Sequence, residues 1–338
     1  MELEKKLIEN FWHLIGHKNE FSAPGNFVLF DTCLGEIAIH NNNGKIIAFD
    51  NKCIHRGASI FDERFGNKPL TCKYHGWTYI DGRVFVPNRE SFIDCNFDNI
   101  YLNEYQVDWC GDFLFIAIKP QDNLKSQLGG IYSLLEKISF NIDRRLDFNN
   151  FKFPCYWPLA IENALESYHI PYIHRNTLAK LDLQPGKDNF FGVNSVWNSP
   201  IGNLRSKKLL GNMKKYFEID FVFESYMSIY IFPFSMLSST YGFSYSLQNF
   251  FPSKNIKSST EFSSRFLVAR HNKSSNTQQI INSFFDSSIK LNRTVFEEDS
   301  QICKQMSHDT WSNEKLAFQS PFEEKIEHFR SSCLKINS

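Results

Sequence analysis

Apolar residues recur at three- and four-residue spacing at the start of the chain, where Leu3, Leu7, Phe11 and Leu14 share one stripe. That period predicts a short helix over 2–14. From residue 26 the period falls to two. The runs NFVLFDT, EIAIHNN and KIIAFDN predict short strands broken at Gly35, at the NNNG turn of 41–44 and at Asn51. A further hairpin is expected over 78–86, turning at Asp81-Gly82, and two or three more strands over 101–118. Residues 26–120 therefore read as a small antiparallel β domain, with 1–25 an N-terminal helical segment packed on the domain of residues 151–338. Leu124, Leu128, Ile131, Leu134, Leu135 and Ile138 predict a helix over 123–139, within a connecting stretch of 121–150.

The second half repeats the change of period. A helix is expected to open near Pro158, a residue suited to a first turn. Alternating segments at KKYFEIDFVFE, YMSIYIFPF, TYGFSYSLQNFFP and TEFSSRFLVARH predict one antiparallel sheet across 176–268. After 277 the spacing is helical again, and Phe322, Ile326, Phe329, Cys333 and Ile336 mark a last amphipathic helix. The fold class is α+β, with residues 151–338 forming a second domain of sheet and helices.

Charge narrows the partners. Lys plus Arg and Asp plus Glu both number 37, so nothing draws the chain to nucleic acid or to an anionic membrane surface. The longest apolar run, FLFIAI at 113–118, is far shorter than a membrane span. The N-terminus is charged and unlike a signal peptide. Eight cysteines show no disulfide-framework spacing, which fits reduced thiols and a cytoplasmic location.

Two stretches carry the chemistry. CIHRG at 53–57 and CKYHGW at 72–77 supply Cys53, His55, Cys72 and His75, one cysteine and one histidine from each loop. That pairing suits a two-iron, two-sulfide cluster with the thiolates on one iron and the imidazoles on the other. A structural zinc site is the competing reading, but zinc ligands usually come paired like with like. ENALESYHIPYIH at 162–174 offers Glu166, His169 and His174. Two histidines and a carboxylate suit non-haem Fe(II). The histidines are five apart, and Pro171 is expected to break the helix so that His174 turns back beside His169. The missing carboxylate is one of Glu297, Glu298 and Asp299 in VFEEDSQIC, among which composition does not choose.

Taken together, Cys-x-His-Arg-Gly, Cys-x2-His-Gly-Trp and Glu-Asn-x2-Glu-x-Tyr-His-x4-His resemble the large (alpha) subunit of the Rieske non-haem iron oxygenases, over essentially the whole chain. The resemblance implies an N-terminal β Rieske domain and a C-terminal helix-grip-like catalytic domain enclosing iron and substrate. It implies one [2Fe-2S] cluster on Cys53, His55, Cys72 and His75, and one Fe(II) on His169, His174 and Asp299. Glu166 falls on the carboxylate that bridges one subunit's iron to the next subunit's cluster in a homotrimer, and Asn163 is a candidate beside the iron. Most of the family has Asp at the Glu166 position; Glu there is similar to oxygenases of quaternary ammonium compounds such as carnitine. Pro158, where the family has Lys, is a departure at the helix start. The implied activity is that of a terminal oxygenase using O2. Its electrons come from NAD(P)H through a separate reductase, with or without a ferredoxin. The substrate is a small organic molecule, with monooxygenation or N-demethylation of an N-methylated amine favoured over attack on an aromatic ring. A non-catalytic Rieske electron carrier and a zinc-stabilised binding module are the alternatives outside that class. The substrate wall is expected from the helix at 158–168, the strands of 226–248 and the helix at 280–300. Among its candidate aromatics are Tyr226, Tyr230, Phe232, Phe234, Phe243 and Tyr245.

Overall fold

A computed structural model describes residues 2–80, 83–93, 95–97, 100–254, 258–312 and 318–337. The first helix, α1 (Glu2–Asn10), stops four residues short of the predicted end. Leu14 lies instead in strand β1 (His13–His17), where all five residues are buried. The apolar spacing of 11–15 serves a fully buried strand as well as a helix, and tertiary pairing decides between them.

Strands β2 (Asn26–Thr32), β3 (Gly35–Asn42), β4 (Lys45–Asp50) and β5 (Phe65–Asn67) follow, then a small hairpin of β6 (Thr78–Ile80) and β7 (Arg83–Phe85), then β8 (Glu104–Cys110) and β9 (Phe113–Ala117). The Asp81-Gly82 turn expected between β6 and β7 lies outside the described residues. Seven of these strands form an antiparallel sheet in the order β1-β9-β8-β4-β3-β2-β5. Alternation gives it two buried faces. Phe27, Leu29, Ile47 and Phe49 face the loops that carry Cys53 and Cys72. Val28, Phe30, Ile39 and Ala48 pack against the rest of the molecule.

The predicted helix over 123–139 is split at Gly129 into α2 (Leu124–Leu128) and α3 (Tyr132–Ser139). Gly129 has φ +51°, which a left-handed turn needs and glycine supplies freely. Strand β10 (Ile142–Phe153) then starts the second sheet. Next come α4 (Trp157–Leu165), α5 (Ile170–Ile173), β11 (Lys187–Phe191), β12 (Asn194–Pro200) and α6 (Leu204–Met213). Strands β13 (Ser225–Ile231), β14 (Ser235–Thr240), β15 (Ser244–Pro252) and β16 (Thr260–Ala269) lead to α7 (Ser275–Cys303) and α8 (Glu324–Asn337). The sheet order is β10-β16-β15-β14-β13-β12-β11, antiparallel throughout. The strand expected at 214–224 is instead a short 3-10 turn and irregular chain.

Odd-numbered residues of the central strands, such as Met227, Ile229, Leu237 and Leu247, bury α2 and α3 through Leu128, Ile131 and Leu135. The even-numbered face lies under α4 and α7. Helix α4 is buried on nearly every side, so it is a core helix rather than an amphipathic surface one. Pro158 sits in its first turn, as expected. Among the described residues, no helix is long and apolar enough to cross a membrane.

Candidate active site

The two cysteine-bearing loops repeat one conformation. In each, the glycine four residues after the cysteine donates its N–H back to that cysteine's carbonyl, Gly57 to Cys53 at 2.8 Å and Gly76 to Cys72 at 2.9 Å. Both glycines have φ +73°, so a side chain at either would strain the turn. Asn51, almost fully buried, ties the first loop to the sheet: its Oδ1 accepts from Ile60 N (3.2 Å) and Phe61 N (2.9 Å), and its Nδ2 donates to Phe61 O (2.7 Å).

Cys53 and Cys72 are buried, while His75 is exposed and His55 half-exposed. The imidazole rings lie 4.7 Å apart, and the Trp77 indole stacks on His55 at 4.5 Å and 2°. Trp77 therefore packs the cluster loop. His55 Nδ1 is buried with no hydrogen-bond partner. Orphaned buried nitrogens are rare, and one beside two thiols fits a metal-sulfide group. Burial pushes the Cys72 thiol up, and Cys53 beside it acts in the same sense; a thiol binds iron as the thiolate, so metal binding at Cys72 would be coupled to loss of its proton to solvent. Tyr79, which sequence reasoning missed, donates its hydroxyl to Cys53 Sγ at 3.2 Å.

In the second half, His169, His174 and Asp299 bring their ligand atoms within 4.8 Å of one another. The chain leaves α4 at Glu166, whose backbone is extended, and turns through Ser167 and Tyr168. Pro171 does not break a helix here. It stands in the first turn of α5, and His169 and His174 flank that helix at its two ends. The histidines converge as expected, but the bend comes at Glu166, five residues earlier.

Glu166 binds His169 twice, accepting from its backbone N–H at 3.0 Å and from its ring Nδ1. Glu298 holds His174 by the ring alone, accepting from Nδ1 at 2.7 Å while Thr177 Oγ1 donates to the same carboxylate oxygen at 2.6 Å. With both Nδ1 atoms donating, both Nε2 atoms present lone pairs, and they face each other at 3.1 Å. Asp299 Oδ1 is 3.1 Å from one and 3.5 Å from the other, and Asn163 Nδ2 holds that oxygen at 2.8 Å. Three acceptor atoms pointed at one spot repel one another unless a cation lies between them. His174 reports the same field: burial disfavours its charged form, yet Asp299 and Glu298 outweigh burial and raise its pKa. The donor set fits a two-histidine, one-carboxylate iron site.

Of the three acidic candidates, Asp299 faces the histidines, Glu298 backs His174 and Glu297 is exposed. The role of Glu298 was invisible in the sequence, where three consecutive acids look alike. Beside the site lies a small cavity of about 60 Å3, which continues past Tyr226, Ser238, Gln248 and Phe296 into a larger one of about 240 Å3. Of the expected aromatic wall, Tyr226 alone lines these cavities. Tyr230, Phe232 and Phe234 belong to the central core, and Tyr245 points to the α2–α3 side.

Two family profiles match the chain: the Rieske [2Fe-2S] domain over residues 11–91, and the ring hydroxylating alpha subunit (catalytic domain) over residues 136–336. Among characterised proteins, the chain is 28% identical over 186 residues to the glycine betaine monooxygenase oxygenase subunit of Chromohalobacter salexigens, covering 52% of this chain and 41% of that one. It is 27% identical over 206 residues to choline monooxygenase of Arabidopsis thaliana, covering 55% and 48%. With the 2-halobenzoate 1,2-dioxygenase large subunit of Burkholderia cepacia it shares 24% over 196 residues, covering 52% and 41%. The matched region thus spans about half the length of these relatives or less. Similar solved structures include a quaternary ammonium Rieske monooxygenase bound to L-carnitine (TM-score 0.75, 16% identity, 99% of this chain and 91% of that one). Naphthalene 1,2-dioxygenase with indole bound gives TM-score 0.71, 17% identity, and 100% and 90%. At these identities the structures speak for the fold.

Proposed function

The chain belongs to the ring-hydroxylating oxygenase alpha subunits, and we propose on that footing that it is the terminal oxygenase of a multicomponent system that oxidises a small organic substrate with O2. The observation that carries this reading is the convergence of His169 Nε2, His174 Nε2 and Asp299 Oδ1, with each imidazole held from behind by its own carboxylate. In this reading those three residues hold iron, and Cys53, His55, Cys72 and His75 hold the [2Fe-2S] cluster; residues 26–120 form the cluster domain, 121–150 the connection and 151–338 the iron domain.

When bound, the cluster supplies single electrons and the iron supplies dioxygen activation. The remaining work belongs to the side chains. Glu166 and Glu298 fix the tautomer and ring direction of the two histidines and make them better donors. Asn163 fixes the carboxylate of Asp299. Ala164, Leu165, Val295 and Phe296 narrow the approach and keep water scarce around the reacting atoms. Glu166 is half-buried at the edge of the site, a position suited to hydrogen-bonding a neighbouring subunit's exposed His75 while it holds His169. A head-to-tail homotrimer would bring such a pair together, and a ring of heterologous contacts closes naturally. Electrons reach it from NAD(P)H through a separate reductase, with or without a ferredoxin, in the cytoplasm.

For the substrate, we favour monooxygenation or N-demethylation of an N-methylated amine. Glu166 in the bridging position and the betaine and choline monooxygenases among the relatives support it. The test is metal and acid-labile sulfide analysis, joined to substrate-dependent O2 uptake with a compatible reductase. Two cluster irons, two sulfides and one further iron per chain are expected, with formaldehyde from an N-methyl substrate. Stoichiometric zinc without sulfide sinks the oxygenase reading; a cis-dihydrodiol from an arene, with no turnover of amines, sinks the amine preference.

A further inference from the structure

Among the described residues, the larger cavity is lined without a single Asp, Glu, Lys, Arg or His. Toward the iron-ligand set the charged groups added among the described residues are Glu166 and Asp299, both acidic, with His169 and His174. Arg293, beside Asn292 on α7, is turned away to Asp147 at 2.7–2.8 Å. The cavity opens to solvent beside Leu209 and Leu291, and a carboxylate seated inward of that mouth would lose hydration and gain no cation from this wall.

The cavity wall is instead neutral and hydrogen-bonding. Sheet register sets Trp197, Ser228, Ser238, Ser246 and Phe266 in one row across five strands, all toward α7. Gln248 Nε2 donates to Ser238 Oγ at 3.2 Å and Ser246 Oγ at 3.5 Å, so the row is cross-linked and its hydroxyls are held in place. On the facing helix, Asn292 Nδ2 is buried with no partner and lines the same cavity. A buried donor without an acceptor is costly, and an acceptor atom on a ligand would satisfy it.

We propose that the substrate carries no carboxylate, and that its polar handle is a hydroxyl, carbonyl or amide group held between the Ser238–Gln248–Ser246 row and Asn292. This refines the oxygenase reading and rests on it: of an alcohol and the corresponding acid, this site takes the alcohol. An N-methylated or aromatic end reaches toward the iron past Tyr226 and Phe296. Burial on a charge-free wall removes the carboxylate member of each chemical pair and leaves its neutral-handled counterpart.

The test uses the iron- and cluster-loaded protein and two matched pairs, choline with glycine betaine and benzyl alcohol with benzoate. Affinity is read by titration calorimetry, independently of turnover. The alcohol member is expected to bind at least roughly tenfold more tightly than its acid. Equal or tighter binding of the acid overturns the proposal while leaving the metal content, and so the oxygenase reading, intact. Two variants reverse the preference if the wall sets it. Gln248→Arg places a cation in the row, and Asn292→Lys, on the half-exposed face of a helix that tolerates lysine, places one opposite. Either should shift the acid-to-alcohol affinity ratio toward the acid by roughly tenfold or more. An unchanged ratio in a folded, iron-loaded Asn292→Lys protein overturns the assignment of the handle to this wall.

Discussion

Glu298 shows how much one side chain decides at the iron-ligand set. It neither faces the ligand atoms nor belongs to any motif, yet it fixes His174 and links it to Thr177. Glu298→Gln can still accept through its amide oxygen but no longer supplies charge behind the imidazole. Iron affinity is expected to fall on the order of 10–100-fold, measured by competition with a chelator, while cluster absorbance stays at its wild-type level. His13 sets a second expectation. Burial pulls its pKa down to about 4, against a smaller opposite effect of the Ile8 carbonyl that its Nε2 binds at 2.9 Å. The unfolded chain therefore takes up the proton first. Stability from neutral His13 is complete above pH 6.5 and is lost as pH falls from there toward 4. His17 is shifted in the same direction, again mainly by burial. Between pH 7 and 5, His13 alone should lower stability by about 2 kcal/mol. Urea denaturation at both pH values should show a smaller loss in His13→Gln; an equal loss would clear His13 of the effect.

At the scale of elements, α4 is the piece around which the second half is built, and it pays for its burial with one ion pair. Glu162 accepts from Arg330 Nε at 2.6 Å and Nη2 at 2.9 Å, joining α4 to α8 where both side chains are within 5% of full burial. Burial raises the Glu162 pKa, and Arg330 only partly offsets it. Arg330→Met should destabilise the protein by about 3–5 kcal/mol, because it strands a buried carboxylate. Adding Glu162→Met should recover much of that loss in the same urea assay; no recovery would mean that packing, not charge, is what the arginine provides. The strands carry a different lesson. The aromatic run of 226–245 alternates with serines, and period two assigns the two sets to opposite faces only where the strand is regular. Serines face α7 while Tyr245 and Leu247 face α2 and α3, the reverse of a purely aromatic pocket wall.

The whole molecule puts its two ligand sets on separate sheets joined by one continuous core. Val28 and Phe30 of the first sheet share that core with Phe153, Trp157 and Phe250 of the second. That shared core holds the two ligand sets of one chain in a fixed relation, and the proposed electron transfer between chains then depends on how copies meet. Light scattering is expected to give about three times the 39.6 kDa chain mass. With sulfide content unchanged and iron restored to full occupancy, Glu166→Ala should slow single-turnover product formation by roughly tenfold or more, about 1.4 kcal/mol of barrier. A fully active monomer, or full activity in that variant, would remove Glu166 from the path between subunits.

The sequence by itself determined the chemistry that depends on residue type and short spacing. Cys53, His55, Cys72 and His75 sit on turns closed by their own glycines, and His169 and His174 flank a single short helix, so local chain geometry was enough to bring out both sets. Strand period and turn residues likewise determined the α+β class. What spans the chain was decided only by tertiary structure. Asp299 lies 125 residues beyond His174, and its choice over Glu297 and Glu298 follows from the rotation of a 29-residue helix against α4 and α5. The fate of 11–17 was set by pairing with Phe113–Ile116 rather than by its own spacing. The chemical character of the cavity was decided last, because register across three strands aligns serines that are scattered in sequence, and no local pattern records which face of a sheet a distant helix will cover.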